Sequence, residues 1–470
     1  MGRESAPVGQ SLALHVSTTA ARFRADFYRV GECLEFVSST PWFPGELAEV
    51  PPHPDVPGEP ASPAADWGWP RHDCSAPELP GLYVAVFRED SDAEPAEQPE
   101  IRGSGRASFV VRPLPGEESG GILYKRSTFT RHAYNHADDG RGTRRSSLYD
   151  NPVYLDPPAG SRGHMVSMHR PGALEDLAYW DAPFIGWLAE EGYSIDFCTD
   201  LDMHADPELL QRYRLLLSVG HDEYWTEAMR VHAERFVARG GNIAFLSANT
   251  CWWRTHVTDG GTAIVSDTDH HVAGVFPHLP ATDQWWPPAP DGVGHPENSL
   301  TGVSFRNGGM WAGQWPGDRP RQGYAVQHQD HWVFAGTGLR DGTHGGPQDC
   351  LGAGTPLIGY ECDGAAFEFG DDAIARATGI DETPESFLIL GLCVLDPVGD
   401  FYDMRFHRWN CPSREPEITS PPAATMGVYT VAGGGTVFTA ATTDWPTVVG
   451  NRLDRGVEQV TRNVLDRLGA

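Results

Sequence analysis

Residues 215–254 read LLLSVGHDEYWTEAMRVHAERFVARGGNIAFLSANTCWWR, and this stretch limits the possible folds more than any other. An apolar run from Leu215 to Val219, broken only by Ser218, is long enough for a strand and too short for a helix; it belongs inside a parallel sheet. It ends at Gly220, and His221, Asp222 and Glu223 follow where a buried strand would emerge. Thr226 is a good helix N-cap, and Met229, Ala233, Phe236 and Val237 recur on one helical face. Gly240 and Gly241 stop that helix, and the run from Ile243 to Leu246 delivers Ser247, Ala248 and Asn249 at a second strand end. A right-handed strand-helix-strand crossover sets the two polar ends side by side. His221, Glu223 and Asn249 are therefore expected in one pocket.

The flanking chain extends this unit into an α/β protein. Residues 11–37 alternate apolar and polar, the period of half-buried antiparallel strands, and GLYVAVF (81–87) continues the pattern, so residues 1–115 read as a β-rich segment resembling a small β-sandwich. Residues 116–470 read as the α/β domain. FLILGLCVL (387–395) is apolar on both faces and reads as a central strand, and the chain ends in a hairpin followed by an amphipathic helix. Around residues 255–385 the periodicity fades and glycine, proline and tryptophan dominate, as expected of an insertion folded over the sheet rather than extending it. Within it, the short apolar run before Glu361 points that carboxylate at a common surface.

Charge excludes some partners. With 64 acidic against 35 basic residues and a formal charge of −29, no broad basic surface can be assembled for nucleic acid or an anionic membrane. Eight cysteines without a CxxC pair argue against a zinc ribbon or dithiol site. No apolar run approaches the roughly 18 residues of a membrane span, and no leader pattern opens the sequence, so a cytoplasmic enzyme is expected. Two polar knots, Asp200-Asp202-His204 and Asp267-Asp269-His270-His271, have ligand chemistry; the first reads better as a solvated helix-capping turn. Arg141, Arg144 and Arg145 read as a solvated turn that could also line an entrance.

On a strand end, side chains at i and i+2 point the same way, so of His221 and Glu223 one can bind a metal while the other moves a proton. Asn249 adds an amide that can polarise a carbonyl, and Glu361 a second carboxylate. Two rival readings use the same chain. Cys251, two residues past Asn249, could act as a nucleophile with His221 as its base, or the tryptophan-rich insertion could hold a carbohydrate without catalysis.

The blocks GHDEYW, GGNIAFLSANTCWWR, HAYN, SLY, IGYECD, GGGTVFTAATTDW and TRNVLDRL together resemble the large (beta) subunit family of N,N-dimethylformamidase, from about Leu12 onwards. The resemblance implies a class I glutamine amidotransferase-like (flavodoxin-like) α/β domain without a cysteine nucleophile, preceded by a β-rich segment. It implies hydrolysis of a small amide by one ferric ion, Fe(III), per chain, held by two tyrosine phenolates and a glutamate. Carried over by position, the metal ligands fall on Glu223, Tyr134 and Tyr83, with Tyr149 as the rival to Tyr83. The catalytic residues fall on His221, Asn249 and Glu361. A small companion subunit and a homo-oligomer are also implied. Hard oxygen anions suit a ferric ion, which would activate water and polarise the amide oxygen.

Overall fold

The apolar alternation of the first hundred residues gives a mixed sheet whose two faces are both covered. Strands β1 (Ser5–Pro7), β2 (Arg22–Val30), β3 (Leu34–Ser39), β4 (Gly81–Glu89) and β5 (Arg106–Arg112) lie in the order β1-β5-β4-β2-β3, with Phe43–Pro44 beside β2. On β4 the period of two is plain. Tyr83 and Ala85 point into a small core with Leu12, Leu14, Phe27 and Phe109. Leu82, Val84 and Val86 point the other way, into the main core. The antiparallel ribbon Ser11–His15 and Arg71–Ser75 closes the first face. The second face packs on the α/β domain, so the expected sandwich has its second layer supplied largely by the rest of the chain.

This computed structural model describes residues 4–48, 68–90, 94–118, 120–135, 148, 165–170, 172, 174–258, 260–266, 283–310, 322–343, 346–395 and 420–470. Tyr149, the Arg141–Arg145 turn and the Asp267–His271 knot lie outside the described residues.

The second sheet organises everything else. Its strands are β6 (Ile122–Arg126), β7 (Ile195–Thr199), β8 (Leu215–His221) and β9 (Asn242–Ala248), then, past the two-stranded pair β10 (Ser304–Met310) and β13 (Glu361–Gly364), β11 (Tyr324–Val326), β12 (Cys350–Leu351), β14 (Leu388–Val394), β15 (Ala423–Thr430) and β16 (Thr436–Thr439). Their spatial order is β7-β6-β8-β9-β16-β15-β14-β11-β12. The first five are parallel and the others antiparallel. The fold is thus mixed α/β. Among the parallel strands the chain runs outward one way from β6 to β7 and the other way from β8 to β16, so the order reverses between β6 and β8. In an open α/β sheet that reversal opens a crevice at the carboxyl ends.

Among the described residues the α-helices of six residues or more are α1 (Thr128–Ala133), α2 (Ala182–Glu190), α3 (Asp200–Ala205), α4 (Glu227–Ala238), α5 (Trp445–Gly450) and α6 (Arg455–Leu468). On β8 and β9, Leu216, Ile243 and Phe245 face α4 through Met229, Ala233 and Phe236. Leu215, Leu217, Val219, Ala244 and Leu246 face α2, α5 and α6 through Phe184, Trp445 and Val460. Burying each such side chain contributes about 1.5–3 kcal/mol, which is why runs apolar on both faces become central strands. Thr226 caps α4 as expected, its Oγ1 accepting from the Met229 N–H at 3.2 Å.

Two expectations are corrected. The insertion does extend the main sheet: β11 pairs with β14 and β12 with β11, while β10 and β13 form the separate pair. Strands as short as β11 and β12 leave too few residues for a visible period. Asp200 and Asp202 do open a helix, Asp202 forming a capping box with Thr199, but Asp200 is fully buried and ion-paired to Lys125 rather than solvated. Among the described residues no helix is long and apolar enough to cross a membrane.

Candidate active site

Four chain segments converge at the reversal between β6 and β8. From β6 the chain turns into α1, whose Thr130 Oγ1 accepts from the Glu223 N–H at 2.9 Å and the Tyr224 N–H at 3.2 Å. The same helix carries Tyr134 at its C-cap, and the phenol donates to Glu223 Oε2 at 2.8 Å. From β8 come His221 and Glu223, from β9 Asn249, and from β13 Glu361. His221 Nε2 lies 2.8 Å from Glu361 Oε2, 3.3 Å from Glu223 Oε2 and 3.4 Å from Asn249 Nδ2. Tyr134 and Tyr360 are half-buried, so the cluster opens on their side, while Glu223, Asn249 and Glu361 are buried.

The backbone is shaped for this meeting. Asn249 adopts φ +48°, a left-handed conformation that costs most residues energy and that asparagine tolerates well. Asp363 holds it there: its two carboxylate oxygens accept from the N–H groups of Asn249 at 2.8 Å and Thr250 at 3.2 Å. Because Asp363 is two residues past Glu361 on β13, one short strand supplies both a site carboxylate and the anchor for the site amide. Burial pushes the Asp363 carboxyl up to about 7, against those two N–H groups.

Electrostatics centre on His221. Burial alone would lower its pKa, but the Glu361 and Glu223 carboxylates override that and raise it to about 10. One N–H cannot serve every neighbour of Nε2. Asn249 Oδ1 and Glu361 Oε2 have no hydrogen-bond donor among the described residues, the Glu361 contact being an ion pair without hydrogen-bond alignment.

Of the residues singled out in the sequence, Tyr134, His221, Glu223, Asn249 and Glu361 therefore come together. Tyr83 does not join them. Its ring stacks on Phe109 with centroids 5.3 Å apart, inside the small core of the first sheet. Its phenol donates to the Leu79 carbonyl at 2.7 Å, and burial pushes it up to about 12. The alternation of GLYVAVF showed a strand, and only the packing shows which layer its odd face meets. Cys251 is fully buried, and burial pushes its thiol far above the ordinary range, the opposite of what a nucleophile needs. Sequence reasoning missed Asp363, Trp180, Tyr360 and Asp444. Tyr360 and Asp363 lie within IGYECD and Asp444 within GGGTVFTAATTDW, so those blocks could have shown them; Trp180 carried no local signal.

For a hard cation the donor chemistry fits in part. A phenol and a carboxylate oxygen lie 2.8 Å apart, with buried lone pairs of Glu361 and Asn249 beside them. A third anionic oxygen donor is not supplied by Tyr83. No group of three or more His, Cys, Asp or Glu side chains suited to a metal occurs among the described residues.

A mixed α/β sheet whose carboxyl ends gather carboxylates, an imidazole and an amide at the point of strand reversal defines a protein of the α/β class with its ligand crevice at the strand ends. Within that class the chain belongs to the family described as N,N-dimethylformamidase beta subunit-like, C-terminal, whose model matches residues 23–455. It is 26% identical over 352 residues to the N,N-dimethylformamidase beta subunit of Paracoccus aminophilus, covering 73% of this chain and 42% of that protein. It is 25% identical over 377 residues to the N,N-dimethylformamidase beta subunit of an Alcaligenes species, covering 77% of this chain and 45% of that protein. The chain thus spans less than half the length of the curated relatives it matches.

Proposed function

We propose that this chain hydrolyses a small linear amide at the crevice between β6 and β8, on an amidotransferase-like, flavodoxin-like sheet that does not use a cysteine. The observation that carries this reading is the meeting of His221, Glu223, Glu361, Asn249 and Tyr134 from four chain segments, with Asn249 Oδ1 lacking a hydrogen-bond donor among the described residues. The parallel strand order and the family membership support it. Tyr134 and Glu223 would hold a ferric ion, one per chain, and a bound ion of that kind supplies Lewis acidity toward an amide oxygen and a bound water.

The chain's own residues account for the rest of the reaction. The Asn249 amide N–H orients the substrate carbonyl and stabilises the oxygen as charge develops on it. Glu361 takes one proton from the attacking water as its oxygen bonds to the carbonyl carbon. His221, paired to Glu361, hands a proton to the amide nitrogen, so that the C–N bond breaks with a neutral amine and a carboxylic acid as products. Dimethylformamide enters as a candidate substrate because the relatives are named for it, and a companion subunit because they are named beta subunits. A homo-oligomer belongs to the same proposal.

The test is amine release from formamide, N-methylformamide and N,N-dimethylformamide, with metal content measured on the same samples. We expect Glu361→Gln to lose about 10²–10⁴-fold in turnover with its metal retained. Glu223→Ala is expected to lose metal and turnover together. Equal amine release by wild type and Glu361→Gln would sink the reading.

A further inference from the structure

Two aromatic side chains stand against His221 from distant parts of the chain. Trp180 meets the imidazole edge-on with ring centroids 6.1 Å apart and 68° between planes, and Tyr360 does so at 6.2 Å and 79°. Tyr134 forms a third wall, its centroid 5.4 Å away. Trp180 lies in a single π turn, Leu177–Asp181, that runs into α2, and such turns often mark functional sites. Tyr360 lies just before β13.

One buried carboxylate grips both. Asp444 Oδ1 accepts from Trp180 Nε1 at 3.3 Å, and Oδ2 accepts from the Tyr360 N–H at 3.2 Å. The fit has little slack. A Cβ on Gly359 would lie 2.3 Å from Asp444 Oδ2, and one on Gly220 would lie 2.8 Å from Trp180 Cγ. Gly220 also holds φ +74°, which a side chain would strain. The neighbours of Asp444 complete the grip: Thr442 Oγ1 accepts from the Gly359 N–H at 3.0 Å and Thr443 Oγ1 from the Glu361 N–H at 3.4 Å. Successive amides of Gly359, Tyr360 and Glu361 thus each end on a side-chain oxygen from residues 442–444. These contacts settle where Tyr360 and Glu361 sit, and through Trp180 they settle a second aromatic contact of His221 as well.

Resting on the amide-hydrolase reading, we propose that Asp444 is a positioning residue that fixes Trp180 and Tyr360 about His221, and that these rings limit the site to small planar amides. Rings held by packing and hydrogen bonds are stiff walls, and an amide is flat, so bulk on either side of its plane meets them. A carboxylate suits the task because both of its oxygens accept. Asparagine would turn an NH2 group toward one of the two N–H donors and release one wall.

The test compares Asp444→Asn and Tyr360→Ala with wild type, using N,N-dimethylformamide, N,N-diethylformamide and N,N-dimethylbenzamide. Both kcat/KM and calorimetric binding are measured. Tyr360→Ala removes a half-buried ring and keeps the backbone bond to Asp444, so it reports on the wall even if Asp444→Asn folds poorly. We expect the preference for the smallest amide to fall by about tenfold or more in each variant, mostly through KM. An unchanged size preference in folded protein overturns the proposal. Amides that bind with the expected size order but are never cleaved sink the hydrolase reading and leave the size limit supported; no binding at millimolar amide sinks both.

Discussion

Two buried charge clusters lie back to back at the end of β8, and they are built on opposite terms. The side chain of Asp222, between His221 and Glu223 in sequence, turns away from them to Lys125. Lys125 Nζ donates to Asp200 Oδ1 at 2.5 Å and Asp222 Oδ1 at 2.7 Å. The other oxygen of Asp222 accepts from Ser218 Oγ at 2.5 Å, and that of Asp200 from the Phe129 N–H at 2.8 Å. Burial would lower the lysine's pKa, but the two carboxylates hold it above the ordinary range. In the neighbouring cluster one imidazole serves two carboxylates, and Asn249 Oδ1 and Glu361 Oε2 have no aligned hydrogen-bond donor among the described residues. The first cluster is saturated and can only hold structure. The second has acceptors without aligned donors among the described residues, which costs stability and gives a ligand something to bind.

The sharpest way to break this contrast is Lys125→Met. The variant leaves two buried carboxylates facing each other and is expected to destabilise the protein by about 3–5 kcal/mol, read by urea unfolding. Asp200 also anchors the start of α1 through the Phe129 N–H, so the Tyr134 end of that helix should loosen and turnover should fall. Glu361→Gln, which leaves His221 beside Glu223, should cost clearly less stability than Lys125→Met. Equal losses would mean that the site is as structural as the cluster behind it.

The two clusters also differ in how far the sequence revealed them. His221, Glu223 and Asn249 were legible because a local strand-helix-strand pattern carries them, and parallel pairing of β8 with β9 follows from that pattern alone. Glu361 was legible from the apolar run before it. Lys125 is 75 residues from Asp200 and 97 from Asp222, and nothing in the periodicity of β6 shows that the lysine side chain points inward. Trp180 and Asp444 are 264 residues apart. Pairings of this kind are made by packing, after the strand order is set. The same reason explains Tyr83, whose strand was visible and whose facing layer was not.

Glu297 sharpens the contrast, because it is a buried carboxylate that is half-satisfied and outside the site. One oxygen accepts from Ser304 and the other has no donor among the described residues. Burial pushes it up to about 8. A folded-state pKa above the unfolded one means that proton uptake favours the fold fully below about pH 4.5, and that this contribution is lost as pH rises through 8. Glu297→Gln cannot titrate. The stability difference should therefore move in favour of the variant between pH 5 and 8, by on the order of a few kcal/mol, with turnover unaffected. Urea unfolding at pH 5, 6.5 and 8 measures it. A difference that stays constant, or moves in favour of wild type, with rising pH would show that a spare acceptor need not be neutralised here, and the contrast between the two clusters would lose its physical basis.

The smallest effect belongs to Tyr83, set against Tyr134. Both are phenols that donate to an oxygen, but the Tyr83 partner is a carbonyl in the bend just before its own strand and the Tyr134 partner is the Glu223 carboxylate. Tyr83→Phe removes one neutral hydrogen bond and is expected to cost about 1 kcal/mol. Its ring would remain stacked on Phe109, so the sheet and the site beyond it should keep their geometry. Metal content and turnover should then match wild type, whereas Tyr134→Phe should lower both. If the two variants lose metal to the same extent, the first sheet supplies a ligand after all, and the saturated phenol is no guide to which tyrosine is structural.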